Sequence, residues 1–111
     1  VTPRLTADFW VQAYLTRLRL ADIPAFVVKK GDATAGSVLI KQSSLDGSAS
    51  LHRRQFDLME DMTRWAEVAR GAEAEIDAQI ARERGRDPDL WVIEVEDRAG
   101  RTLLDEPGFE G

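Results

Sequence analysis

Two carboxylates stand one residue apart in DPDLWVIEVEDRAGR, residues 87–101: Glu94 and Glu96. In a strand such residues share a face, with Cα atoms ~6.5–7 Å apart. Carboxylates so placed can reach one metal ion or one substrate group. The same alternation also marks the solvated face of a half-covered sheet. A metal site calls for further ligands, often His, and the chain has a single His. We therefore expect Glu94 and Glu96 to keep a strand soluble and to set its register. A one-residue slip would bury both carboxylates and expose Trp91. On that reading, charge reversal at Glu94 costs no more than about 0.5 kcal/mol. Lys41, Arg53, Arg54 and Arg64 are candidate partners on neighbouring strands.

Three other groups of residues have the types that chemistry needs. In His52-Arg53-Arg54 the arginines offer anion forks, but adjacent residues of a strand point to opposite faces. No alternating aromatic pair accompanies them, as a base-stacking sheet would require. His52 has no Ser or Asp partner at a suggestive spacing, so we expect it on an outer strand surface. GDATAGS, residues 31–37, has two glycines separated by four residues after a strand. Ser37 stands where a phosphate-binding loop needs lysine, and a strand follows instead of a helix. It reads as a hairpin loop. Trp10, Trp65 and Trp91 belong to three separate elements. They read as core or interface anchors before they read as a ligand pocket.

The elements that must position these residues follow from periodicity and turn chemistry. In residues 6–22, Asp8, Gln12, Thr16 and Arg19 form one narrow polar stripe. Trp10, Val11, Tyr14, Leu15 and Leu18 cover the opposite side. A helix this widely apolar is packed on more than one side, either deep against a sheet or also against another chain. Thr6 can cap its start, and Pro24 ends it. AFVVKK, SVLIKQ and SLHRRQFDL read as three antiparallel strands over residues 25–58, joined by two hairpins, the second at Asp46-Gly47. Residues 58–70 carry a helical stripe, Leu58, Met62, Trp65 and Ala69, but Gly71 interrupts it, and we favour a strand. Residues 72–84 form a helix with Ile76 and Ile80 inward, an acidic first turn and arginines in its last. Residues 91–96 are a strand. DRAG turns the chain, RTLL returns as a short strand, and residues 105–111 form an extended tail with Phe109 as an anchor.

Composition narrows the class further. A chain of 111 residues is one domain's worth. With no cysteine, disulfides, thiolate metal sites and thiol catalysis are excluded. No apolar run approaches the ~20 residues of a membrane helix, and no secretory leader is visible. We expect a cytoplasmic protein. The net charge of −5 disfavours nucleic acid as a partner. Residues 1–54 carry eight Lys/Arg against four Asp/Glu, and residues 55–111 carry seven against sixteen, which suits mutual neutralisation across one sheet.

IPAFVVKKGDATAGSVLIK, the LDG after it, and IARERGRDPDLWVIEVEDRAGR together resemble a small bacterial domain family of unknown function. The resemblance runs from Trp10 to Leu104. GDATAG and DPDLWVIEVED are its most specific parts. It implies a stand-alone bacterial cytoplasmic domain and assigns no activity, cofactor, partner or site residue.

The expectation is an α+β domain spanning residues 1–111. An antiparallel sheet of about five strands carries two helices mainly on one face. Function is expected to be that of a non-catalytic binding or accessory module, without cofactor or metal. It acts on a protein partner or on itself as a homodimer, with Trp10, Arg53, Arg54, Trp65, Trp91, Glu94 and Glu96 as candidate binding residues. The alternative is a small metal- or ligand-binding enzyme using Glu94 and Glu96 with His52. RNA binding through Lys29, Lys30, Arg53 and Arg54 is a weaker third idea.

Overall fold

A computed structural model describes residues 5–109. The chain forms α1 (Ala7–Leu20), β1 (Ala25–Lys29), β2 (Val38–Ser43), β3 (Ser48–Asp57), β4 (Met62–Ala72), α2 (Glu73–Arg86) and β5 (Trp91–Glu96). The strands make one five-stranded sheet in the order β1-β5-β2-β3-β4. β2 and β5 are parallel. The other neighbours are antiparallel, so the fold is α+β with a mostly antiparallel, mixed sheet.

α1 starts where Thr6 Oγ1 accepts the Phe9 N–H, as an N-cap should. It stops at Asp22, whose φ of 59° lets the Ile23 N–H reach back to the Leu18 carbonyl. Its inner face, Trp10, Val11, Tyr14 and Leu18, packs on Val38, Ile40, Trp91, Ile93 and Val95. α2 lies on the opposite side of the sheet. Its Ile76 and Ile80 pack on Leu39, Ala49, Leu51, Leu90 and Val92. The expectation of two helices on one face is thus corrected: each face carries one. The cause lies in the central strands. Leu39-Ile40 and Trp91-Val92-Ile93 are buried without alternation, the pattern of strands covered on both sides.

β5 sits between β1 and β2, so the expected β1–β2 hairpin does not form. The 30–37 segment instead crosses the end of β5 and is held there. Asp32 N donates to the Asp89 carbonyl, and Trp91 N to the Ser37 carbonyl. The Trp91 indole N–H donates to the Asp32 carbonyl. A Cβ at Gly31 or Gly36 would collide with the Asp89 carbonyl oxygen, so only glycine permits this approach. The loop's own carbonyls, Ala33 and Thr34, accept from Asp8 and Ala7 at the start of α1. GDATAG and DPDLW are therefore two halves of one clamp.

The expected short strand RTLL is also absent. Both edges of β5 are taken by β1 and β2, leaving no ladder to join. The chain instead folds over α1 as a strap. The Tyr14 hydroxyl donates to the Thr102 carbonyl, Arg17 forks onto Glu106 through two bonds of 2.8 Å, and Leu103, Leu104 and Phe109 join the α1 core. The described part of the tail, residues 105–109, is a run of turns and bends where an extended tail was expected. Residues 1–4 and 110–111 of the expected domain lie outside the described residues. α1 is widely apolar because sheet and strap enclose it from two sides.

The hairpin at Asp46-Gly47 forms as expected, with Gly47 at φ 91° and Asp46 Oδ1 accepting the Ser48 N–H. Residues 62–72 are strand, as favoured. β3 and β4 pair along their whole length, from Ser48–Ala72 to Asp57–Met62, with one bulge beside Leu51/His52.

Candidate functional site

β3 is longer than its inner neighbour can cover. Its pairing with β2 begins at His52, opposite Ile40, while its pairing with β4 continues to Asp57. Beyond His52, β3 and β4 continue together past the β2 ladder as a two-stranded arm. A cleft of about 740 Å³ lies in the notch between the arm and the start of β2. Arg53, Arg54, Trp10, Val38, Leu39 and Leu90 are among its lining residues.

The two arginines diverge as strand alternation requires. Arg53 goes to the α2 side, where its Nη2 lies 3.0 Å from Glu83 Oε1. Arg54 goes to the α1 side, its guanidinium carbon 4.7 Å from the Trp10 ring centre and 4.9 Å from that of Trp65. Trp10 and Trp65 stack at 5.2 Å, with Tyr14 and Phe109 packed against Trp10. Two of the three tryptophans do meet, but the space between them is filled by the protein's own side chains. Trp91 lies deeper, 1% exposed, as part of the clamp. The Trp10 indole N–H and Arg53 Nε are buried without a hydrogen-bond partner among the described residues. Burial drives the Tyr14 pKa far above its ordinary range, so Tyr14 serves as a neutral donor to the strap.

Glu94 and Glu96 sit on the α2 side of β5. Glu94 pairs across the parallel ladder with Lys41, whose ammonium lies 3.2 Å from Glu94 Oε1, 2.8 Å from Asp77 Oδ1 and 3.3 Å from Glu73 Oε1. The Lys41 side chain is 5% exposed and that of Glu94 is 16% exposed. Burial alone would lower the Lys41 pKa, but the hydrogen bonds and charges of Asp77 and Glu94 outweigh it and hold the ammonium above the ordinary lysine range. Of the four expected cations, Lys41 is the one that meets Glu94. Glu94 is thus half of a buried ion pair rather than an inert solvated side chain.

His52 sits across from Ile40 on the α1 side, the opposite face from Glu94. Its ring nitrogen lies 2.8 Å from Ser50 Oγ. Burial, more than its charged neighbours, lowers its pKa. The three residues of the enzyme alternative are therefore divided between two faces of the sheet. Among the described residues no group of three or more His, Asp or Glu could hold a metal ion. Lys29 donates to the Pro88 and Leu90 carbonyls, and its strand β1 is separated from β3, which carries Arg53 and Arg54, by β5 and β2. Among the described residues no helix is long and apolar enough to cross a membrane.

What the sequence reading missed is the end of the arm. Phe56 (57% exposed), Leu58 (84%), Met59 (92%) and Met62 (43%) are apolar and open to solvent, flanked by Asp57, Glu60 and Asp61. The signal was present in FDLMEDM, an apolar-acidic turn with no inward-facing position to fill.

A mixed five-stranded sheet with a helix on each face, an inter-loop clamp and a projecting arm defines a compact α+β class of domain. The chain belongs to the DUF1491 family, described as a protein of unknown function, which it matches over residues 5–105. Its fold is similar to the crystal structure of a DUF1491 family protein from Caulobacter crescentus CB15, with TM-score 0.80, 39% identity, and coverage of 93% of this chain and 95% of that one. An NMR structure of a DUF1491 family protein from the same organism gives TM-score 0.80 and 38% identity over 96% of this chain and 97% of that one. The solution structure of protein Atu0922 from A. tumefaciens gives TM-score 0.72 and 32% identity over 95% and 98%. No curated protein matches the chain.

Proposed function

We propose that this protein is a non-catalytic interaction module that binds a protein partner through its β3–β4 arm. The observation that carries this reading is the concentration of four exposed apolar side chains, Phe56, Leu58, Met59 and Met62, on one projecting hairpin. Scattered surface apolar residues need no explanation, whereas a contiguous group on a protrusion marks a contact surface. The other exposed apolar residues are less open or lie apart: Leu5, Phe9, Leu20 and Leu45 are scattered, and Phe26, Val27 and Val28 on the edge strand β1 are each about half exposed and alternate between its two faces. A cytoplasmic location belongs to the same reading and suits a chain without cysteine.

Fluorescence-detected sedimentation of the labelled protein in cell extract tests this. The wild type should sediment faster than a monomer, and the double variant Leu58→Ser/Met59→Ser should return to the monomer rate. Identical monomer rates for both would refute the reading.

A further inference from the structure

The chain has two methionines and no cysteine. Both methionines, Met59 and Met62, lie at the tip of the arm, so all the sulfur of the protein is gathered on one hairpin turn. Methionine commonly fills irregular gaps in a core. Neither residue does so here: Met59 is 92% exposed and Met62 43%. The two differ in their surroundings. Met62 Sδ accepts a hydrogen bond from Arg64 Nη2 at 3.2 Å. Arg64 Nε in turn lies 3.5 Å from Asp57 Oδ2, and Asp57 Oδ1 accepts the Met59 and Glu60 N–H groups of the turn. The Met62 sulfur is thus joined through Arg64 to the carboxylate that shapes the tip, and Met59 stands on that tip.

We propose that the tip is a reversible oxidation site: a hydroperoxide converts Met59 first and Met62 second to the sulfoxide, and the oxidised arm no longer engages its protein partner. This inference rests on the arm being an interaction surface and adds the modification that controls it. In the step itself, a lone pair of the thioether sulfur attacks the hydroxyl oxygen of the hydroperoxide. An S–O bond forms and the O–O bond breaks. The proton on the transferred oxygen passes to the departing hydroxide or alkoxide, which leaves as water or an alcohol. Sulfur is oxidised by two electrons and the peroxide is reduced by the same two. At Met59 the product is a polar, chiral group in place of an apolar one, on a surface whose contact depends on apolar character. At Met62 the new oxygen is a better acceptor than the weakly accepting thioether, so Arg64 is drawn toward it and away from Asp57. Asp57, Glu60 and Asp61 make the tip acidic, which repels anionic oxidants and favours a neutral hydroperoxide.

The test treats the labelled, purified protein with hydrogen peroxide and removes the peroxide before the protein meets cell extract, so the partner is never oxidised. Peptide mass spectrometry should find an added oxygen at Met59 several-fold sooner than at Met62. Untreated protein should sediment as a complex and the sulfoxide form at the monomer rate. Treatment with the two methionine sulfoxide reductases, one for each epimer, should restore the complex. The urea midpoint of the dilute protein should be the same in both forms, because both side chains are exposed. A sulfoxide form that still sediments as the complex, a loss that the reductases do not reverse, or oxidation of Met62 ahead of Met59 overturns the proposal. A lowered urea midpoint also overturns it, since oxidation would then act by unfolding the domain. If the untreated protein already sediments as a monomer, the reading of the arm as an interaction surface fails, and this inference fails with it.

Discussion

The half of the sheet built from β1, β5 and β2 and the arm built from β3 and β4 satisfy different requirements. In the first, the buried polar features have a folding purpose. The glycines let two loops touch, Lys41 neutralises Glu94, Gln42 donates to the Asp97 and Ser43 carbonyls, and a helix covers each face. In the arm beyond His52, β3 and β4 run past the β2 ladder and the apolar residues of the tip, Phe56, Leu58, Met59 and Met62, are exposed. Sequence chemistry that folding explains in one region is left over in the other. Residues left over are where function is best sought, because folding does not account for them.

The comparison breaks most visibly at the clamp. Gly31→Ala would place a methyl group against the Asp89 carbonyl and 2.6 Å from Trp91 Cδ1, neither of which can swing away. We expect a loss of more than about 3 kcal/mol in urea unfolding, within the overpacking and strain class of large effects. Gly85→Ala is the matched control. It lies in α2 with nothing within 4 Å of a new Cβ, and should be neutral or stabilising by up to about 1 kcal/mol. Equal losses at the two positions would show that the clamp is not what holds this half together.

The next largest effect sharpens the reading of Glu94. Strand alternation alone gave a cost of at most about 0.5 kcal/mol for reversing its charge. The structure replaces that expectation, because Glu94→Lys would set a second ammonium against the buried Lys41. Removing one member of a buried pair costs ~3–5 kcal/mol. With Asp77 and Glu73 still beside Lys41, we expect the lower part of that range. Glu96→Lys, on the same face without such a partner, should change stability by under about 0.5 kcal/mol. Urea midpoints of the two variants decide the matter.

These residues also show how much of the fold is legible in the sequence. The β2–β3 turn, the β4 strand and both helices were legible because their signals are local: Asp46-Gly47, the Gly71 interruption, Thr6 and the arginines closing α2. The neighbours of β1 were not. β1 and β2 look like a hairpin across GDATAG, and nothing nearby says that residues 91–96 insert between them. The same insertion removed the expected RTLL strand and moved the second helix to the other face. Clues existed in Leu39-Ile40 and in Trp91-Val92-Ile93, whose unbroken apolar character fits strands covered twice. Arg53 and Arg54 were correctly placed on opposite faces by alternation alone. The cleft between them was not visible, because it depends on where β2 stops relative to β3.

The smallest expected effect is the most discriminating. Leu58→Ser and Met59→Ser remove apolar side chains that are 84% and 92% exposed, so almost no buried area is lost in the isolated chain. The turn is held by the Asp57 side chain, which accepts the Met59 and Glu60 N–H groups, and both substitutions leave these in place. Folding stability of the monomer should therefore move by no more than about 0.5 kcal/mol, measured by urea unfolding at a concentration low enough to exclude association. Assembly, in contrast, should be lost. A drop of several kcal/mol in the dilute monomer would mean that the tip packs within its own chain. The division between a region that folds and a region that binds would then disappear.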